Sequence, residues 1–400
     1  MSAAKSQFSL EENVAALNKN IFLREFAFSK NKFKPNANEE LELADNIIWI
    51  DKLLIAYQLK ERDATDESST ETERKWFEKK VVGKGTKQIR DTLKFLAAHS
   101  NISIENERGH VFNVNGTLIE HVIKLVVYEP GNNLPAECRK VKFHLSSTGG
   151  LIHILHLEDY VGVCRNLITP AEISEYFDYR EEVFSKWSTQ VEDLSEQAIL
   201  GQFLWGDFSI CPTAESVKYL AALEKDINSF DISNLLYNFS EHTEKSLIRN
   251  VKDIQSEHAY YKILTEFAKL RRSTLREIKL RVDLCLQACR EDRFMIPTRM
   301  GLSDLRCGFV FIPLTQEAFA YRLSALENLT KAAKYDLKLD KQIGISFVKE
   351  GEDFLIDWCF IEHPWQYDSV MEKKLSESYP FSKAEEKRIP HYRFNSLEKN

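Results

Sequence analysis

Residues 45–62, DNIIWIDKLLIAYQLKER, constrain the fold of this chain more than any other stretch. Two runs rich in Ile, Leu, Trp and Tyr stand back to back, with Asp51-Lys52 between them. A two-residue connection between β-prone runs predicts an antiparallel hairpin, although Asp-Lys is a weaker turn pair than Asn-Gly. Side chains alternate along a strand, so 54, 56, 58 and 60 face one way and 55, 57 and 59 the other. A hairpin turning at 51–52 pairs position 45 near position 58, so Asp45, Gln58 and Lys60 converge at one end of a sheet. An amide and an ammonium two residues apart on one face gain nothing in a buried strand. That strand end is therefore the first place to look for chemistry.

A chain of 400 residues exceeds one ordinary core and provides for two or three domains. With 43% hydrophobic and 29% charged residues it has the balance of a soluble globular protein. No apolar run approaches the roughly 18–20 residues of a membrane span, and the first residues carry acids and no apolar h-region. The seven cysteines are odd in number and never spaced C-x-x-C, which argues against a disulfide framework and a zinc ribbon. A reducing cytoplasm is the expected setting. A net charge of −7 excludes an all-basic surface but not a local basic groove. Segment 74–94 holds eight Lys and Arg against Glu78 and Asp91, and a second basic stripe runs over 269–281.

The element pattern predicts a mixed α/β protein. Ser9 and Glu12 have capping-box spacing for a helix over 9–19, and IFLREFAF (21–28) alternates as a strand. Strands follow over 45–50 and 53–60, then a polar loop over 63–73 and a helix over 76–96 with Ile89, Leu93 and Leu96 on one face. Residues 110–162 return to strand character, with turns at Asn115-Gly116 and Pro130-Gly131. Helical texture dominates from about 168 to 292. A last α/β unit has a strand over 309–314, a helix over 316–336 and a hairpin around Gly351-Glu352. The expected division is 1–165, a helical region over 166–300, and a small α/β unit over 301–400.

Carboxylate, amide oxygen and ammonium at one sheet edge suit metal-assisted phosphodiester cleavage. Asp45 can hold a hard cation such as Mg²⁺ or Mn²⁺, the Gln58 oxygen can complete its shell, and Lys60 can orient or deprotonate the attacking water. Asp45 followed by Gln58-Leu59-Lys60 resembles the PD-(D/E)XK nuclease superfamily, in the variant where glutamine replaces the first acid of the second motif, as in Mrr-like restriction endonucleases. The resemblance covers about residues 9–98. It implies a restriction-endonuclease-like domain: a helix bearing an acid, three antiparallel strands, and a second helix with a polar residue, here Gln88, that steadies the site. Ala44 stands where the family often has proline. The additional acid is open among Glu12, Glu25 and Glu42, and Glu25 is favoured because a charge inside an apolar run needs a reason.

The resemblance further implies a DNA endonuclease, cutting as a homodimer or larger homo-oligomer, of the kind found in restriction and anti-phage defence. Double-stranded DNA approaching acidic metal ligands needs a positive groove, which assigns Lys79, Lys80, Lys84, Lys87 and Arg90 to phosphates. A rival class is a nuclease-like module without catalysis that binds nucleic acid or protein. Gly83-Lys84-Gly85-Thr86 lacks the frame of a phosphate loop. His153 and His156 fall on opposite strand faces, and a packing role is expected. Cys285 and Cys289 read as core, and Trp358, Trp365 and Tyr367 as packing. Arg271, Arg272 and Arg276 either extend a DNA track or balance the acidic surface.

Overall fold

The computed structural model describes residues 21–29, 32–36, 39–62, 69–106, 108–250, 260–383 and 392. It is a mixed α/β protein, as the element pattern predicts. The chain divides into two compact units, Met1–Ile227 with Ala268–Arg271 and Tyr392–Asn400, and Asn228–Phe267 with Arg272–His391. The helices read as one region over 166–300 are therefore shared between the units. The helix expected over 9–19, with Glu12, lies outside the described residues.

In the first unit, α1 (Ile21–Phe26) runs directly into β1 (Ala27–Phe28). Alternation predicts a strand throughout this run, but Phe22, Leu23 and Phe26 are all buried. Their spacing gives a helix one apolar face, whereas a strand would turn Leu23 away from the other two. Strands β2 (Lys32–Asn36) and β3 (Glu39–Glu42) pair with each other. The hairpin is β4 (Asn46–Ile50) and β5 (Leu53–Glu61). Asp51 adopts a φ of 54°, the positive value that primed two-residue turns require at their first central position.

Ser69 then caps α2 (Thr70–Trp76) by accepting from the Thr72 N–H, so this helix begins inside the tract expected as loop, of which 63–68 lie outside the described residues. It continues into a π-helix, Phe77–Gly85, and then α3 (Thr86–Ala98). A ribbon of β6 (Ile102–Glu105) and β7 (Val111–Val114) leads to β8 (His121–Glu129), α4 (Ala136–Arg139), β9 (Phe143–Ser146) and β10 (Gly150–His156). Helices α5 (Leu157–Asn166), α6 (Pro170–Val191), α7 (Glu196–Trp205) and α8 (Lys218–Asp226) follow.

The central sheet runs β1-β4-β5-β8-β10-β9. Strands β5, β8 and β10 are parallel, with antiparallel pairs on both sides. Phe77, Val81, Ile89 and Leu96 cover one face, over Leu54, Ala56, Val126 and Ile154. On the other face Tyr57 packs on Tyr160 of α5 and His153 on Phe177 of α6, at ring distances of 5.4 and 4.9 Å. Burial of each large apolar side chain contributes about 1.5–3 kcal/mol, which holds the helices to the sheet. Behind that second face Arg180 binds Glu196 through two nitrogens at 2.7 and 3.1 Å and its Nη1 meets His153 Nδ1 at 2.9 Å. Burial would raise the Glu196 carboxyl, but Arg180 outweighs it and holds it below its ordinary range. His153 thus has the packing role expected of it.

The second unit holds α9 (Ser233–Asn250), α10 (Tyr261–Ala268, but for its last residue) and α11 (Arg272–Arg290). Its sheet is β11 (Thr298–Leu302), β12 (Cys307–Pro313), β13 (Lys341–Glu350) and β14 (Asp353–Glu362), in that order. Helix α12 (Arg322–Asp336) connects the parallel pair β12 and β13, and α13 (Ser369–Glu377) closes the unit. Gly351 turns the β13–β14 hairpin at a φ of 65°. Cys285 and Cys289 are core residues, and Trp358 packs on Phe239. Among the described residues no helix is long and apolar enough to cross a membrane.

Candidate active site

The two-residue turn sets the register of the hairpin. Asn46 lies opposite Tyr57, which puts Asp45 opposite Gln58. Asp45 Oδ2 accepts the Leu59 N–H at 2.6 Å and a Lys60 Nζ proton at 3.1 Å. Lys60 Nζ also donates to Gln58 Oε1 at 3.3 Å and to the Leu59 carbonyl at 2.7 Å. The three side chains expected to converge do meet, with the ammonium as their hub. Gln58 is buried, Lys60 nearly so, and Asp45 keeps a quarter of its side chain exposed. Asp45 Oδ1 has no hydrogen-bond partner among the described residues, so one carboxylate oxygen stays open beside a fixed lysine.

Two neighbours of Gln88 anchor its helical stretch to the strands on either side of it. At the end of the π-helix, Gly85 approaches β8 so closely that a Cβ would lie 2.8 Å from Val126 Cγ1. Val126 is the register partner of Gln58, so only glycine lets the helix settle there. One turn beyond Gln88, the Thr92 hydroxyl donates to the Leu43 carbonyl, two residues before Asp45. Gln88 Oε1 is buried and finds no donor among the described residues. A buried amide oxygen left this way costs about 1–3 kcal/mol, and such groups in folded proteins call for an explanation.

Glu25 departs from its expected setting. It lies on α1 rather than on a strand, fully buried, and its carboxylate binds Arg24 at 3.0 Å and Arg108. The charge inside the apolar run is thus accounted for by two guanidinium groups. Of Glu42 only the backbone, in β3, is described. Among the described residues no three His, Cys, Asp or Glu gather as a metal cage. The donors that fit a metal here are the open Asp45 oxygen and the Gln58 amide. That sparse set suits Mg²⁺, which binds through one or two carboxylates and keeps waters or phosphate oxygens for the rest.

No family model, curated protein or solved structure matches this chain. What the site can do therefore follows from its own geometry.

The basic segment sorts itself into two groups. At its ends Arg74 binds Glu71 and Glu137, Lys75 binds Glu71, and Lys94 binds Asp91. Between them Lys79, Lys80, Lys84, Lys87 and Arg90 have no partner among the described residues, and the four lysines are exposed. In a π-helix, hydrogen bonds run five residues apart, which brings Lys79 and Lys84 toward one side. An ideal α-helix would turn them about 140° apart.

Sequence reasoning missed the neighbours of Lys60 across the sheet. Parallel register sets Tyr128 beside Lys60 and His156 beside Tyr128. Tyr128 packs edge-on against Phe77 of the π-helix at 5.1 Å. Its burial raises the phenol far above its ordinary range, so it stays protonated. Parallel strands joined through long crossovers leave no local signal of which residues become neighbours. At the same sheet end Arg62 Nε binds the buried Glu73, whose other oxygen accepts the Gly131 N–H and ties α2 to the strand ends.

Proposed function

We propose that the first unit is a divalent-metal-dependent nuclease acting on double-stranded DNA. The observation that carries this reading is the Asp45–Gln58–Lys60 cluster, with an open carboxylate oxygen beside an ammonium held in place by three acceptors. Asp45 and Gln58 would hold Mg²⁺ or Mn²⁺, which when bound supplies Lewis-acid polarisation of a phosphoryl oxygen. Lys60 stands where its ammonium can position a water and stabilise charge that develops on the phosphoryl group. Gln88 offers a buried acceptor for that water or for a protein donor that shifts on binding. Lys79, Lys80, Lys84 and Lys87, exposed and without a partner among the described residues, would supply positive charge for the phosphate backbone.

The test is degradation of plasmid DNA with Mg²⁺ or Mn²⁺. The expected result is metal-dependent cutting that Lys60→Ala and Asp45→Ala each reduce by roughly a hundredfold or more. Equal cutting by both variants, or none by the unaltered protein, removes the enzyme reading. One observation favours a second reading, a binding module without catalysis: Glu25 is tied to two arginines rather than open for a metal. That module would bind DNA with a steep salt dependence and leave it intact.

A further inference from the structure

The row Lys60, Tyr128, His156 crosses three parallel strands at one level and on one face of the sheet. Strands lie about 4.8 Å apart, so the Lys60 and His156 Cα atoms are separated by roughly 10 Å. Tyr128 fills the interval, its ring edge-on to the His156 imidazole at 5.6 Å and 86°. His156 also caps α5, where its Nδ1 accepts the Glu158 N–H at 3.2 Å. That bond requires Nδ1 to be unprotonated, which places the proton of the neutral ring on Nε2. Burial, and then the nearby Arg139, lower the His156 pKa and keep the ring neutral.

Two observations separate this histidine from its neighbour His153. The His153 ring is buried, with Arg180 on its Nδ1 and Phe177 on its face. His156 keeps 16% of its side chain exposed, and its Nε2 has no hydrogen-bond partner among the described residues and is not a buried atom. Arg139 of α4, which acts electrostatically on both His156 and Tyr128, is exposed and has no carboxylate partner among the described residues. Asp159 and Glu158 are the acids nearby, and burial pushes the Asp159 carboxyl up to about 6.

We propose that His156, through its Nε2–H, binds a second phosphate of the nucleic-acid strand next to the scissile one, with Arg139 supplying positive charge beside it. This rests on the nuclease reading and adds a substrate-contacting residue to it. The strand would then lie across the carboxyl ends of β5, β8 and β10, with the scissile phosphate at Lys60 and its neighbour at His156. Tyr128 is the spacer that sets the interval.

The experiment is a cycle of protein and substrate changes on a short duplex that the full chain cuts. Single neutral methylphosphonates are placed at each phosphate around the cut. His156→Asn keeps an acceptor for the Glu158 N–H and removes Nε2–H; a thermal melt checks that it folds. Neutralising one phosphate beside the cut is expected to cost the unaltered protein about tenfold in kcat/KM. His156→Asn should lose about the same on the unmodified duplex and be indifferent to that methylphosphonate. His156→Gln, whose amide reaches near the Nε2 position, should recover part of the loss. Arg139→Gln, an exposed change with no bearing on the fold, should cost about threefold at low salt and less at high salt. Full additivity of the His156 and methylphosphonate penalties, or unchanged cutting by both variants, overturns the subsite alone. Absence of any cutting by the unaltered protein overturns the nuclease reading and the subsite together.

Discussion

Two basic stretches, 74–94 and 269–281, look alike in the sequence and differ in what their charges meet. In the second, Lys269 binds Asp51, Arg271 binds Glu175, and Arg281 binds Glu277. Arg276 donates to the Ser229 hydroxyl and Lys279 to the Asp231 carbonyl. Arg272 is buried with its guanidinium over the Phe230 ring at 5.2 Å. The question left open for Arg271, Arg272 and Arg276 thus resolves toward structure: these cations are taken up inside their own units. In the first stretch only the ends are taken up, and the cations of the middle have no partner among the described residues. A positive run is available to a phosphate only when the fold leaves its charges without partners.

The largest effect that can break this contrast is at Arg272. Arg272→Ala should destabilise the second unit by about 3 kcal/mol, read by urea unfolding, because it empties a buried, partnered position. The salt dependence of DNA binding should not move. A change in that slope would mean that the stripe faces DNA after all. Next comes the joint change of Lys79, Lys80, Lys84 and Lys87 to Gln. Stability should shift little, while DNA affinity falls by about a hundredfold and the salt slope drops by about 0.9 for each phosphate that no longer meets a lysine. An unchanged slope would show that free charge on the π-helix is not used.

A smaller effect tests whether pairing is what silences a cation. Glu137→Gln removes one of the two carboxylates that bind Arg74, leaving Glu71, and should raise DNA affinity by up to about twofold at low salt. No gain would mean that Arg74 lies off the DNA path. The smallest effect belongs to Arg281→Gln, which loses an i, i+4 pair with Glu277 and should cost no more than about 0.5 kcal/mol in the same urea experiment.

The parts of the fold legible in the sequence are those set by local chemistry. Asp51-Lys52 between two β-prone runs was enough to place Asp45 opposite Gln58, because a two-residue turn leaves little choice of register. The helical face of Ile89, Leu93 and Leu96 followed from period alone, and all three pack in the same core. Where the outcome depended on distant partners, the sequence was silent. Glu25 sits on a helix and meets Arg108, 83 residues away. Tyr128 and His156 become neighbours of Lys60 only after two parallel pairings across long connections. The π-helix is equally hidden, since Gly85 is suited to its close approach to Val126 only once β8 is in place.

The turn at Asp51 carries a liability out of proportion to its size. It lies six residues from Asp45, roughly 20 Å along the strand, and touches none of the groups that converge there. Yet strand side chains alternate, so adding one residue between 51 and 52 would shift every pairing by a step. Leu59 would move opposite Asp45, or the β5 pattern would flip and carry Gln58 and Lys60 to the α5–α6 side. Homologous chains should therefore vary freely in the length of most surface loops, but the length of this one decides whether Asp45, Gln58 and Lys60 meet at all.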